Sequence, residues 1–83
     1  MKEYTIRVAH MGINNYSGYS SLITVIDRNT MAKTGRCKPM KYTLEEAREE
    51  AKKKLQKGSD DKNFVYPYCK IYKGRECIET IEA

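Results

Sequence analysis

The stretch Tyr42-Thr43-Leu44-Glu45-Glu46-Ala47-Arg48-Glu49-Glu50-Ala51-Lys52-Lys53-Lys54-Leu55-Gln56-Lys57-Gly58 decides the fold. Thr43 followed three residues later by Glu46 is a capping box, in which the hydroxyl accepts the N3 amide and the carboxylate reaches back to the cap amide. Tyr42 sits just outside, where it can staple against Ala47. Leu44, Ala47, Ala51 and Leu55 recur at three- and four-residue steps and form one apolar stripe. Glutamates fill the first half and lysines the second, which complements the helix dipole and sets Glu49–Lys53 and Glu50–Lys54 at favourable spacings. Gly58 supplies the stop. The pattern predicts a helix over residues 44–57.

Strand patterns lie on both sides. Tyr4, Ile6 and Val8 alternate with Glu3, Thr5, Arg7 and Ala9, which gives a strand with one dry and one wet face. Residues 10–20 are rich in turn formers. The run Leu22-Ile23-Thr24-Val25-Ile26 is apolar on both parities, as in a central strand covered on both sides or a strand at an interface. Asp27-Arg28-Asn29-Thr30 reads as a turn. Gly35 and Pro39 interrupt residues 31–41, which suit a short edge strand or an extended loop. Val65 to Tyr72 and Glu76 to Ile81 flank Lys73-Gly74, a hairpin signal, and Pro67 places the former at an edge or a bulge. The expected fold is α+β: a small antiparallel or mixed sheet of four to five strands with one helix on one face, in the order β-β-(short β)-α-β-β. The expected core is Ile6, Val8, Leu22, Ile26, Leu44, Ala47, Ala51, Leu55, Cys69 and Ile71, with Ile78 or Ile81 according to register.

With 83 residues the chain reads as a single domain, 1–83, with one modest core and little room for a deep pocket. Hydrophobic residues at 40% and charged residues at 33% give a globular composition with a wet surface. No apolar run reaches the length of about 20 residues that a membrane span needs. The first residues read as a strand, not a signal-peptide core, so the cytoplasm is the expected location. Cys37, Cys69 and Cys77 include no C-x-x-C pair and read as reduced thiols. A Cys69–Cys77 bridge requires the two to face each other across the hairpin.

Little in the chain suggests catalysis. His10 is the one histidine and has no evident acid–base partner. The helix carboxylates meet lysines one turn on, as on a solvated face, and neither phosphate-loop motif is present. The expectation is a protein that is not an enzyme, with no cofactor and no metal site.

Charge says more. The net charge is +5. Residues 1–27 balance, the helix and the segment after it cancel, and residues 64–83 balance. The whole excess falls in residues 28–42: Arg28, Lys33, Arg36, Lys38 and Lys41, with no acid among them. Such a segment suits a phosphate backbone, although a charged edge also guards a sheet against aggregation. Tyr66, Tyr68 and Tyr72 share one strand parity with Lys70 between them. Cys69 and Ile71 suit the core under a narrow alanine-bearing stripe better than three rings do, so the tyrosines are expected on the outer face. There they can stack bases or anchor a protein interface, or simply pack across strands.

These features point to a binding module that engages nucleic acid or a nucleoprotein complex through Arg28, Lys33, Arg36, Lys38, Lys41, Tyr66, Tyr68, Lys70 and Tyr72. In size, lone helix and strand order the chain also resembles some small anti-CRISPR proteins. That resemblance implies an alternative, a phage or mobile-element inhibitor that blocks a host protein or nuclease complex, and assigns no site residues. The basic charge excludes the acidic DNA-mimic kind. A third reading, a structural or assembly subunit, follows if the apolar strand at residues 22–26 pairs between chains.

Overall fold

The computed structural model describes residues 2–13, 21–60 and 62–83. Its elements are β1 (Tyr4–Gly12), β2 (Ser21–Thr24), α1 (Arg28–Thr34), α2 (Leu44–Lys57), β3 (Phe64–Val65), β4 (Tyr68–Lys73) and β5 (Glu76–Glu82). The strands form one antiparallel sheet in the order β2-β1-β4-β5, with β3 paired to the end of β1. The expected α+β architecture is present. The turn-rich stretch 14–20 lies outside the described residues, while His10, Met11 and Gly12 extend β1.

α2 spans the predicted residues, and its capping box is complete. Glu46 N–H donates to Thr43 Oγ1 at 3.2 Å, and Thr43 N–H donates to Glu46 Oε1 at 2.9 Å. These bonds favour the ionised Glu46 and hold its carboxyl below the usual range, the backbone bond from Thr43 contributing most. Ala47 and Ala51 are fully buried against β1, β4 and β5. With no bulk beyond Cβ they let the helix settle onto Ile6, Val8, Cys69 and Ile71, which with Tyr42 complete the core. Leu44, Leu55, Tyr4, Val25, Met40, Tyr66 and Ile81 pack around it. Burial drives the Cys69 thiol's pKa up.

Several expectations shift. β2 is an edge strand, not a central one, and Leu22 and Ile23 stay 37% and 51% exposed. Ile26 lies outside the core, and of the two candidates Ile81 joins it while Ile78 is exposed. The reason is the reach of α2, which covers β1, β4 and β5 and stops short of β2. Cys69 pairs with Ile81 and Cys77 with Tyr72, so the two cysteines do not face each other and all three thiols are free. The β4–β5 turn is Gly74-Arg75, with Gly74 at φ 63° and Arg75 at negative φ, the type II′ pattern that twists with the strands.

Residues 28–41 depart most. In place of a turn followed by a short edge strand or extended loop, Asp27 caps a seven-residue helix, accepting from the backbone N–H groups of Asn29 (3.1 Å) and Thr30 (3.3 Å) and from the Thr30 hydroxyl (2.8 Å). Only residues 35–41 keep the loop character, with an isolated bridge at Pro39. Gly35 at φ 71° closes it, its N–H donating to the Met31 carbonyl at 2.8 Å. Both ends of the excursion are clamped to the sheet. Asp27 N–H donates to the Lys38 carbonyl (2.8 Å), Met40 N–H to the Val25 carbonyl (2.9 Å), and Tyr42 and Tyr4 exchange bonds of 2.8 and 3.0 Å.

Candidate nucleic-acid interface

Antiparallel register fixes what the face opposite α2 carries, because residues directly opposed across strands share a face. Arg7 is opposed to Thr24 on one side and Lys70 on the other, and Lys70 is opposed to Thr80. The middle row of this outer face therefore reads Thr24, Arg7, Lys70, Thr80: two cations between two hydroxyls. The rows on either side each hold a tyrosine. One runs Thr5, Tyr72, Cys77 and the other contains Ala9 with Leu22, and Tyr68 with Glu82.

The cations lean on the rings. The Arg7 guanidinium carbon is 4.2 Å from the centroid of Tyr72, and Lys70 Nζ is 5.7 Å from that of Tyr68. Such contacts are favourable where a cation is partly desolvated. Arg7 Nε is shut off from solvent and has no hydrogen-bond partner among the described residues. Like charges directly opposed across strands and a shielded unmatched donor both cost stability. The ring contacts offset part of that cost.

Tyr68 and Tyr72 thus occupy the outer face as expected, both partly exposed, with Lys70 between them. Tyr66 does not join them. From the Val8–Cys69 pair to the Met11–Val65 pair β1 advances three residues and the opposing chain four, so Tyr66-Pro67 forms a β-bulge. A bulge re-aims side chains. It turns Tyr66 to the helix side, where its ring meets His10 edge-on at 4.6 Å and packs against the core. His10 Nδ1 lies 3.1 Å from the Val8 carbonyl.

The five basic residues lie together on one lobe. Arg28 and Lys33 ride on α1, which packs against none of the other elements, and Arg36, Lys38 and Lys41 follow on the return segment. All five are exposed, and none forms an ion pair with a described residue. Tyr42 turns into the core, so strand alternation sets Lys41 on the outer side, at the edge of the Thr5–Tyr72 row.

Arg7 is the residue that sequence reasoning missed. Its parity already put it on the wet face of β1, but only the register with β4 brings it beside Lys70. Among the described residues no cluster of His, Cys, Asp and Glu could hold a metal ion, and no helix is long and apolar enough to cross a membrane. Comparison with protein-family models, with curated proteins and with solved structures returns no match, so the site stands on its own geometry.

Proposed function

We propose that this chain is a non-enzymatic, cytoplasmic binding module that engages nucleic acid, free or within a nucleoprotein complex. The outer sheet face and the basic lobe form the contact surface. The observation that carries the reading is the Arg7–Lys70 pair at the middle of the outer face, where both side chains are half-buried. Stability alone disfavours opposed cations, and a phosphate oxygen between them would relieve the repulsion while Thr24 and Thr80 offer further donors. Tyr68 and Tyr72 on the adjoining rows supply stacking surface for unpaired bases, which favours single-stranded over duplex ligands. The lobe adds phosphate contacts on the β1–β2 side. No bond is made or broken.

The Tyr68→Ala/Tyr72→Ala double variant tests the reading in an equilibrium titration with single-stranded oligonucleotides. Both rings lie away from α2, so the variant keeps its helical circular-dichroism signal and loses about 1–3 kcal/mol of binding per stacked base. Unchanged oligonucleotide affinity would sink the proposal. Loss of a host-protein partner alongside that unchanged affinity would move the same face to the inhibitor reading.

A further inference from the structure

The two edges of the sheet are built differently. β5 carries Glu76, Glu79 and Glu82, with Arg75 in the turn before it. Charges of this kind block strand-to-strand pairing. β2 and its continuation, Ser21-Leu22-Ile23-Thr24-Val25-Ile26, hold no charge, no proline and no glycine. Among the described residues, shortness is the one usual guard it has. Its apolar side chains are exposed on both faces, Leu22 outward and Ile23 on the helix side, because α2 does not reach this strand.

The backbone on that edge is also poised. Val25 N–H donates to the Ile6 carbonyl at 2.9 Å. By the antiparallel alternation Ile23 and Ser21 then direct their N–H and C=O groups toward β1, and Leu22 and Thr24 direct theirs away. No described strand pairs with that side.

We propose that this edge pairs with the same edge of a second copy. The excess positive charge lies in residues 28–42, just past the end of this strand. Antiparallel pairing sets the basic segments of two copies at opposite ends of the joined strands, so the uncharged β2 edge is where two copies can approach without bringing those segments together. The pairing is self-complementary in one register. Leu22 bonds across to Thr24 of the partner subunit and Thr24 to Leu22 of the partner subunit. The two-fold axis then passes through Ile23, which meets Ile23 of the partner subunit in a non-hydrogen-bonded pair with Cα atoms about 4.5 Å apart. That contact covers the most exposed apolar side chain of the strand. The two sheets become one, with both α2 helices on one side and both Arg7–Lys70 rows on the other. The β1 strands of the two copies lie about 14 Å apart, three strand spacings. A single nucleic-acid strand could then contact both rows. This last consequence rests on the proposed function, whereas the pairing does not.

Sedimentation equilibrium of the full chain tests the pairing without any nucleic acid. The wild type is expected to be a dimer at millimolar concentration. Ile23→Lys and Ile23→Glu, each placing like charges across the axis and removing a buried isoleucine, weaken the dimer at least about tenfold. An equal mixture of the two variants restores a dimer, because opposite charges now meet. A wild type that remains monomeric overturns the proposal. So does a dimer that Ile23→Lys leaves intact, or a variant mixture that stays monomeric. Should either charged variant fail to fold, Thr24→Pro removes an outward N–H that the monomer does not use, and a dimer unaffected by it is equally fatal.

Discussion

Arg7 and Lys70 show how a locally unfavourable choice marks a surface. Two opposed cations and a shielded Nε without a partner among the described residues are poor stabilisers. Lys70→Gln is therefore expected to leave unfolding free energy within about 0.5 kcal/mol of the wild type, or to raise it. It should still weaken oligonucleotide binding and lower the slope of log affinity against log salt by nearly one. Urea denaturation and a salt titration measure the two effects separately. Thr43 is the opposite case, a residue whose role is wholly structural. Thr43→Ala should cost about 1 kcal/mol, since the Glu46 amide loses its acceptor. Cys69 offers a check on packing. Burial holds its thiol protonated and shielded, so native-state alkylation should modify exposed Cys37 and Cys77 first and reach Cys69 only on unfolding.

At the scale of elements, α1 and α2 differ in what holds them. α2 has buried alanines, a full capping box and complementary charge. α1 has seven residues, none buried, and stands on its caps. Short helices without packing are marginal in water, so α1 amides should exchange with solvent much faster than the central amides of α2. The cap is also pH-sensitive. Hydrogen bonds from Thr30 hold the Asp27 carboxyl below its usual range, as the Thr43 backbone does for Glu46. A carboxyl depressed in the folded state stabilises above its unfolded pKa of about 4 and loses that contribution as pH falls through the lower folded value. Acid titration should fray α1 before α2, and Asp27→Asn, which still caps, should blunt the effect. On the same lobe, Arg36→Ala/Lys38→Ala/Lys41→Ala should flatten the salt dependence of nucleic-acid binding by roughly two to three units of slope. An unchanged slope would reduce the segment to a solvated edge.

For the whole molecule, the sequence was most legible where one physical pattern ran long enough. Fourteen residues of periodic, capped and charge-ordered chain give α2 with its bounds, and alternation gives the two faces of β1. α1 was harder because seven residues hold barely two turns, too few for periodicity to speak. Asp27 and Gly35 are its start and stop signals, and Gly35 also reads as a simple interruption. Strand parity placed Tyr68 and Tyr72 correctly and failed for Tyr66, since one extra residue at Pro67 inverts every side chain beyond it. The missing Arg7 has the same origin: which residues oppose each other depends on registers between strands about sixty residues apart in the chain, and no local pattern encodes that pairing.

An amide NMR titration of the full chain with a single-stranded oligonucleotide probes the interface residue by residue. The interface predicts shifts along the middle row at Arg7, Thr24, Lys70 and Thr80, at Tyr68 and Tyr72 beside it, and in residues 36–41. Resonances on the exposed face of α2 should stay still. An oligonucleotide that moves no resonance, or moves only those of α2, would rule this interface out.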